Sequence, residues 1–436
     1  MKIMNAIRIW TCSTLKAVRL DALAPPVMLA LAVLSVFPRP AIAQGWMLTG
    51  APTNNFWRSI ATSADGAKLV AAVSDVGLIY SSRDSGTNWH TTGAPKGLWY
   101  ALASSADGTK LLAVGSDYRY FTNGLDIYTI ATASRVYTST NSGTNWTQGS
   151  GTPTNVTWTA AASSADGNKL VVGATSGAIY TSTNAGSTWS LRGAPTKQWN
   201  SIASSADGTR LVAVAVKGGI FRSVDSGATW LPTDAPSDLW WWDVASSADG
   251  DRLVAVAKYN AQATAGGSIY VSLNAGTNWV QTSAPSNLWD SVASSADATT
   301  LVAATSSNSP AGIFGVIYLS RDSGATWMAT DPSRAGTIWK CVAASADGNR
   351  LFAGLTLGGI HTSQTPATPR LSIAAAGSDS TISWIIPSMD FVLQENTDLS
   401  TANWTNVAAP LTLTNYQYQV IHSVPVGNRF FRLSRP

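Results

Sequence analysis

The sequence predicts an all-β fold: a seven-bladed β-propeller closed by its N-terminal strand, followed by a small β-sandwich-like domain. Three observations predict it. Ser-Ala-Asp-Gly or a near variant recurs with its Asp at 65, 107, 166, 207, 249, 297 and 347, and eight residues before each Asp stands a Trp, at 57, 99, 158, 199, 241, 289 and 339. A second motif, Ser/Thr-x-Asp/Asn-x-Gly-x-x-Trp, follows the first six copies and ends at Trp89, Trp146, Trp189, Trp230, Trp279 and Trp327, whereas the seventh copy stops at Ile360-His361-Thr362-Ser363. The missing piece lies near the other end of the chain, where Trp46-Met-Leu-Thr-Gly-Ala-Pro52 matches Trp89-His-Thr-Thr-Gly-Ala-Pro95.

Repeats of this length mean a solenoid or a propeller. An open stack needs a cap at each end. A ring instead uses a strand from one terminus to complete a blade begun near the other, and so leaves no exposed sheet edge. Each period holds four short strands, in the first copy Trp57–Ser63, Lys68–Ser74, Gly77–Arg83 and Asn88–Thr92. Asp65-Gly66 makes the first turn, because Gly takes positive φ at no steric cost. The uninterrupted apolar run Leu69–Val73 fits a strand covered on both faces by neighbouring blades.

Residues 1–43 read as a secretory signal peptide. Scattered positive charge precedes the apolar run Val27–Phe37, and Ala41-Ile42-Ala43 supplies the small-x-small cleavage pattern, so Gln44 is the expected new N-terminus in a secreted or periplasmic protein. Eleven residues, ten of them apolar, are too few to cross a bilayer core of roughly 30 Å. With the leader removed, basic and acidic residues balance, which takes away the electrostatic case for a nucleic-acid partner. Cys12 leaves with the leader, so Cys341 has no intrachain partner and reads as a small buried filler.

The second motif resembles the Asp-box, or BNR, repeat of sialidase-type propellers, which also occurs in xyloglucanases, sortilin-type receptors and the photosystem II assembly factor family. The resemblance covers residues 44–363. It implies a structural role for Asp84, Asn141, Asn184, Asp225, Asn274 and Asp322, whose side chains bond the turn between strands three and four. In that reading the motif Gly is left-handed and the motif Trp fills space between blades. A sialidase needs a Tyr–Glu pair, yet Glu395 is the only Glu in the chain and lies outside the repeats. Glycosidases more generally use two carboxyls. The Asp residues outside the repeats, Asp243 and Asp290 among them, form no recognisable pair, and no catalytic residue, metal or cofactor is assigned.

The leading expectation is a non-catalytic, monomeric binding propeller. Trp to turn Asp is eight residues in all seven copies, and strand-three aromatic to motif Trp is nine in all six, so the rim carrying those turns is uniform. The opposite rim varies: turn Asp to the strand-three aromatic, or to His361, spans 15, 30, 14, 14, 21, 21 and 14 residues. Variable loops on a rigid scaffold are where recognition resides. The blade-two loop, with Tyr118, Arg119, Tyr120 and Phe121, is the first candidate for a protein or glycan ligand, aromatic plus Arg being a hot-spot composition. The second is the residue after each strand-one Trp, which is Arg58, Tyr100, Thr159, Asn200, Trp242, Asp290 or Lys340. Trp240-Trp241-Trp242 exceeds the one Trp that the repeat needs. A glycoside hydrolase using Asp carboxylates and an extracytoplasmic assembly factor are the alternatives. After a Pro-bearing linker at 365–369, residues 370–436 alternate as short strands, resembling a module that ends many secreted bacterial proteins.

Overall fold

The computed structural model describes residues 18–20 and 46–434, apart from 75, 124–125, 176, 264, 307–314, 331–337, 365–370, 377–378, 386–391, 399–400, 408–411, 415–416 and 424–428. Two compact units divide the chain. One lies within Ala41–Ala367, and the other comprises Thr368–Pro436 with Met1–Pro40. Among the described residues no helix is long and apolar enough to cross a membrane.

The larger unit is seven four-stranded antiparallel sheets. Blade one is Trp57–Thr62, Leu69–Val73, Ile79–Ser82 and His90–Thr91. Blade seven takes Trp339–Ala344, Arg350–Leu355 and Ile360–Gln364, and its fourth strand is Met47–Leu48, with Met47 opposite Thr362 and Leu48 opposite His361. Strand one of each blade lies against strand one of the next, and that of blade seven lies against that of blade one.

The Ser-Ala-Asp turn builds the closure. Each Ser hydroxyl donates to the Asp two residues on at 2.5–2.6 Å and is buried. The same Ser oxygen accepts the backbone amide five residues on, as Ser105 does from Lys110 at 3.0 Å. The Ala between them is thereby held with its peptide groups free to reach sideways. Its amide donates to the matching Ala carbonyl of the next blade, from Ala64 to Ala106, 165, 206, 248, 296 and 346 in turn, and Ala346 returns to Ala64, all at 2.7–2.8 Å. The Gly after the Asp has positive φ in six blades; in blade six Ala298 takes that conformation at 51°.

Packing between blades supplies the core. Every strand-one Trp is at most 2 % exposed. Each meets the aromatic ring of strand three edge to face, from Trp57–Tyr80 at 5.5 Å to Trp339–His361 at 5.2 Å. Edge-to-face pairing suits the ring quadrupoles. Strand two is buried along its whole run in blades one, three, four and six. The buried clusters join neighbours: Val302 and Ala304 of blade six pack with Trp339, Leu351 and Ala353 of blade seven, and with Trp46. Burying one Val or Leu of this kind contributes roughly 1.5–3 kcal/mol.

The two turns of each blade share a rim, as the spacing predicts. The 3–4 turn bonds back to the 1–2 turn in the first six blades, for example Ser85 amide to Ala67 carbonyl at 2.8 Å. Within the 3–4 turn, Ser82 donates to Asp84 at 2.8 Å, Asp84 accepts the Asn88 amide at 2.8 Å, and the Trp89 indole donates to the Gly86 carbonyl at 3.0 Å. Two consecutive residues are left-handed rather than the Gly alone: Ser85 has φ 57° and Gly86 has φ 90°, and the other five turns repeat the pair.

The smaller unit has two four-stranded sheets. One contains Ser372–Ala376, Asp379–Ile385, Gln417–Ser423 and Thr412–Thr414. The other contains Arg429–Ser434, Val392–Asn396 and Thr405–Asn406, with Val18–Leu20 paired antiparallel to Arg429–Phe431. Ile382, Trp384 and Val420 of the first sheet share a core with Leu393 and Phe431 of the second.

Candidate functional site

The other rim brings the 2–3 connection of one blade beside the 4–1 connection leading to the next, as in the bridges Gly77–Gly97 and Gly267–Asn287. Its largest feature differs from the expected loop. Strands two and three of blade two continue outward as Leu111–Asn123 and Asp126–Ser139, paired from Leu111–Ser139 to Asn123–Asp126 with a shift between Ser116 and Tyr118. Alternating aromatic and β-branched residues in both arms suit a pleated ladder better than a coil. Tyr118 and Tyr120, two residues apart and so on one face, meet edge to face at 5.3 Å, and Tyr120 is 60 % exposed. Arg119 is exposed, and Phe121 pairs through its backbone with Tyr128. Arg135 closes the base with an ion pair to Asp117 at 2.9 Å. In the long blade-six connection, residues 307–314 lie outside the described residues.

The residue after each strand-one Trp occupies a special backbone position. In all seven blades the register with strand two shifts there, between Trp57 and Ser59 in blade one and between Trp339 and Cys341 in blade seven. Arg58, Tyr100, Thr159, Asn200, Trp242, Asp290 and Lys340 are therefore the extra residues of seven β-bulges, a device that re-aims a side chain. Two of them tie blades together: Thr159 donates to the Trp199 carbonyl at 2.6 Å, and the Asn200 amide to the Trp242 carbonyl at 2.9 Å. Arg58 and Tyr100 are half-buried.

Asp290 is the centre of the rest. Its carboxylate is fully buried, and Oδ1 accepts Lys258 Nζ at 2.5 Å and Lys340 Nζ at 3.0 Å. Burial works to raise the Asp290 carboxyl, but the Lys340 and Lys258 ammonium groups outweigh it and hold it below its ordinary value. Burial pushes Lys340 down despite Asp290, with Arg58 and Lys258 adding repulsion. Both ammonium groups face the Trp242 ring, Lys258 at 4.5 Å and Lys340 at 5.8 Å from its centroid. Nearby, Lys217 lies over Trp240 at 4.9 Å and Trp240 meets Tyr259 at 5.8 Å, whereas Trp241 is completely buried.

Lys258 is a site residue that comparison of strand-one positions misses, because it belongs to strand two. Its equivalents are Ser74, Ser116, Thr175, Val216, Ser306 and Thr356, so a lysine there was the available signal. Asp243 likewise replaces the small residue found at Ser59, Ala101, Ser201 and Ser291. It accepts Ser201 Oγ at 2.7 Å and the Val292 and Val244 amides at 2.9 Å, and burial raises its carboxyl. Cys341, at the same position of blade seven, is buried.

Asp84, Asn141, Asn184, Asp225, Asn274 and Asp322 each bond within their own turn. Among the described residues no group of three or more His, Cys, Asp or Glu is placed to share a metal ion.

A family model described as the DUF6242 beta propeller domain matches residues 116–349, more than half of the chain. The chain belongs to the DUF6242 beta propeller domain family. No curated protein matches it. Solved structures similar to this DUF6242 propeller include YCF48 from Cyanidioschyzon merolae, at 18 % identity and TM-score 0.54 over 74 % of this chain and 98 % of that one. YCF48 bound to D1 peptide is similar at 17 % identity and TM-score 0.53, covering 74 % of this chain and 97 % of the other. The GH74 xyloglucanase from Xanthomonas campestris is similar at 17 % identity and TM-score 0.57, over 78 % of this chain and 59 % of the enzyme. At these identities the likeness is one of fold.

Proposed function

We propose that this protein is a secreted or periplasmic, non-catalytic propeller that binds a protein or a glycan through the rim carrying the 2–3 and 4–1 connections. The blade-two hairpin carries the reading. A uniform rim of seven hydrogen-bonded turns faces away from it, and an exposed Tyr120 beside Tyr118 and Arg119 offers rigid aromatic area with a charge. The Ser/Thr-x-Asp/Asn-x-Gly-x-x-Trp turns are Asp-boxes in this reading, with their Asp and Asn structural. Residues 1–43 are the signal peptide, 44–364 the propeller, 365–369 the linker and 370–436 the added β domain. That YCF48 has been solved bound to D1 peptide supports a protein ligand for a propeller of this shape, and an extracytoplasmic assembly factor differs from the leading reading only in its partner.

A hydrolase using two Asp residues is the second reading, favoured by likeness to the xyloglucanase. It is the weaker one. A catalytic acid must present its carboxyl to substrate, whereas the Asp243 oxygens are taken up by wall groups and Asp290 is held by two lysines. A glycan array run beside fluorogenic glycoside turnover separates the two. Binding without turnover is expected, and weakened binding in Tyr118→Ser/Tyr120→Ser with unchanged melting temperature supports the hairpin. Turnover abolished by Asp243→Asn or Asp290→Asn overturns the non-catalytic reading.

A further inference from the structure

The bulge ring gathers charge unevenly. On the blade-five to blade-one side, Lys258 and Lys340 share the carboxylate of Asp290, with Trp242 under both lysines, and Arg58 adds a third positive charge. On the blade-two to blade-four side the same position holds neutral Tyr100, Thr159 and Asn200. Charged residues are only 12 % of the chain, so a cluster of this kind is an exception within it.

Two observations mark the cluster as made for a ligand. Both lysines bind the same oxygen, Oδ1, while Asp290 Oδ2 is buried and has no hydrogen-bond partner among the described residues. A buried acceptor left unmade costs of the order of 1–3 kcal/mol, so a water, an ion or a ligand group close to the cluster is favoured there. In addition, no hydrogen bond or ion pair engages Arg58 among the described residues, although its bulge in blade one adjoins the Lys340 bulge of blade seven where the first strands of the two blades meet. An unpaired guanidinium beside a desolvated lysine is a fork for a carboxylate.

We propose that this cluster binds an acidic polysaccharide, a chain of uronate-type sugars. The inference rests on the rim-binding reading and names its ligand class. A uronate carries the three features the site asks for. Its carboxylate meets Arg58 and the positive side of Lys340. Its neighbouring hydroxyls accept from the partly exposed Lys340 ammonium. Its apolar C–H face stacks on an indole, here Trp242 or the adjacent Trp240. An acidic peptide brings the carboxylate but no hydroxyl beside it.

The test is titration of the full protein with oligogalacturonate, with the same oligomer fully methyl-esterified, and with poly-glutamate. Oligogalacturonate is expected to bind, with affinity falling as salt rises from ~50 to ~300 mM. The neutral ester is expected to bind at least roughly tenfold more weakly, since a charge-assisted pair is lost. Arg58→Gln, which leaves the Asp290–lysine pairs intact, is expected to weaken oligogalacturonate by roughly tenfold with an unchanged melting temperature. Equal binding of acid and ester, preference for poly-glutamate, insensitivity to Arg58→Gln, or no binding of oligogalacturonate at ~1 mM overturns the proposal. Tyr118→Ser/Tyr120→Ser on the same panel keeps the rim reading apart: a probe that binds, loses affinity there and ignores Arg58→Gln leaves that reading standing while the acidic-sugar inference falls.

Discussion

The Ala346 amide donates to the Ala64 carbonyl at 2.8 Å, and with that bond six inter-blade links become a closed circle of seven. The strand that completes blade seven comes from residues 47–48, so closure of the ring and closure of the blade are separate contacts made at the same seam. Trp46 anchors the seam, at 5 % exposure, with its ring 6.2 Å from Trp339 and its indole N–H on Thr330 Oγ1 at 2.9 Å. Trp46→Ala is expected to cost about 3–5 kcal/mol, the range for deleting a buried Trp. Met47, 62 % exposed on the same strand, is the control: Met47→Ala should move the denaturation midpoint by less than ~0.5 kcal/mol. Equal effects in urea unfolding would mean that the seam does not hold the wheel.

A second prediction concerns acid. Burial works to raise the carboxyls of Asp107, Asp166 and Asp207, but Ser105, Ser164 and Ser205 and nearby backbone amides outweigh it and hold them below the ordinary 3.8. The folded state therefore releases these protons more readily than the unfolded chain, and the stability they add is present above the unfolded value and lost as pH falls through the folded one. Asp243 has the opposite sign: burial raises it, so its contribution is present below the unfolded value and lost as pH rises through the folded one. Asp107→Asn should flatten the acid limb of a stability–pH curve below about pH 4 and leave the limb above it unchanged.

The wheel was legible because its marks are side chains at fixed distances. Trp57 and Tyr80 announce a strand pair, and the repeat of Trp89–Pro95 at Trp46–Pro52 announces closure. The circle of alanine bonds was not legible, since Ala64 and its six equivalents contribute only backbone, which has no residue-type signature. The bulge after each Trp escaped for the same reason: the variability of that position set the seven residues apart but gave no sign of a register shift. Lys258 was missed because it enters from strand two, so comparison within strand one could not see it. The blade-two extension was visible as extra length, but its register was not, because only the pairing of Tyr118 with Ala131 through Asn123 with Asp126 shows a ladder.

The consecutive left-handed residues of the 3–4 turn give a third prediction with opposite outcomes at adjacent positions. Ala185 holds φ 55°, which costs an L-residue roughly 1–2 kcal/mol, whereas Gly186 at φ 86° pays no such penalty. Ala185→Gly should thus be neutral or stabilising by up to ~1 kcal/mol. Gly186→Ala should destabilise by more than ~1 kcal/mol, because the added Cβ would sit 2.5 Å from Thr138 Cγ2 of the neighbouring blade as well as in an unfavourable φ. Thermal melts of the two variants should fall on opposite sides of, or one level with and one below, the parent. Two equal losses would mean that the turn is fixed by its side-chain bonds alone.

Cys341 yields the last prediction. Its thiol is buried among Trp57, Phe352 and Ala343, and burial pushes it up to about 12 although Lys340 and Arg58 pull the other way. Only the thiolate is nucleophilic, so at neutral pH the folded protein should react with an aromatic disulfide reagent far more slowly than an unfolded cysteine. In a Cys12→Ser background, which leaves Cys341 as the single thiol, labelling should appear with the unfolding transition in urea and follow its midpoint. Rapid labelling without denaturant would show that the wall between blades seven and one opens locally, and would place the Arg58–Lys340 side of the bulge ring on a moving element instead of a fixed one.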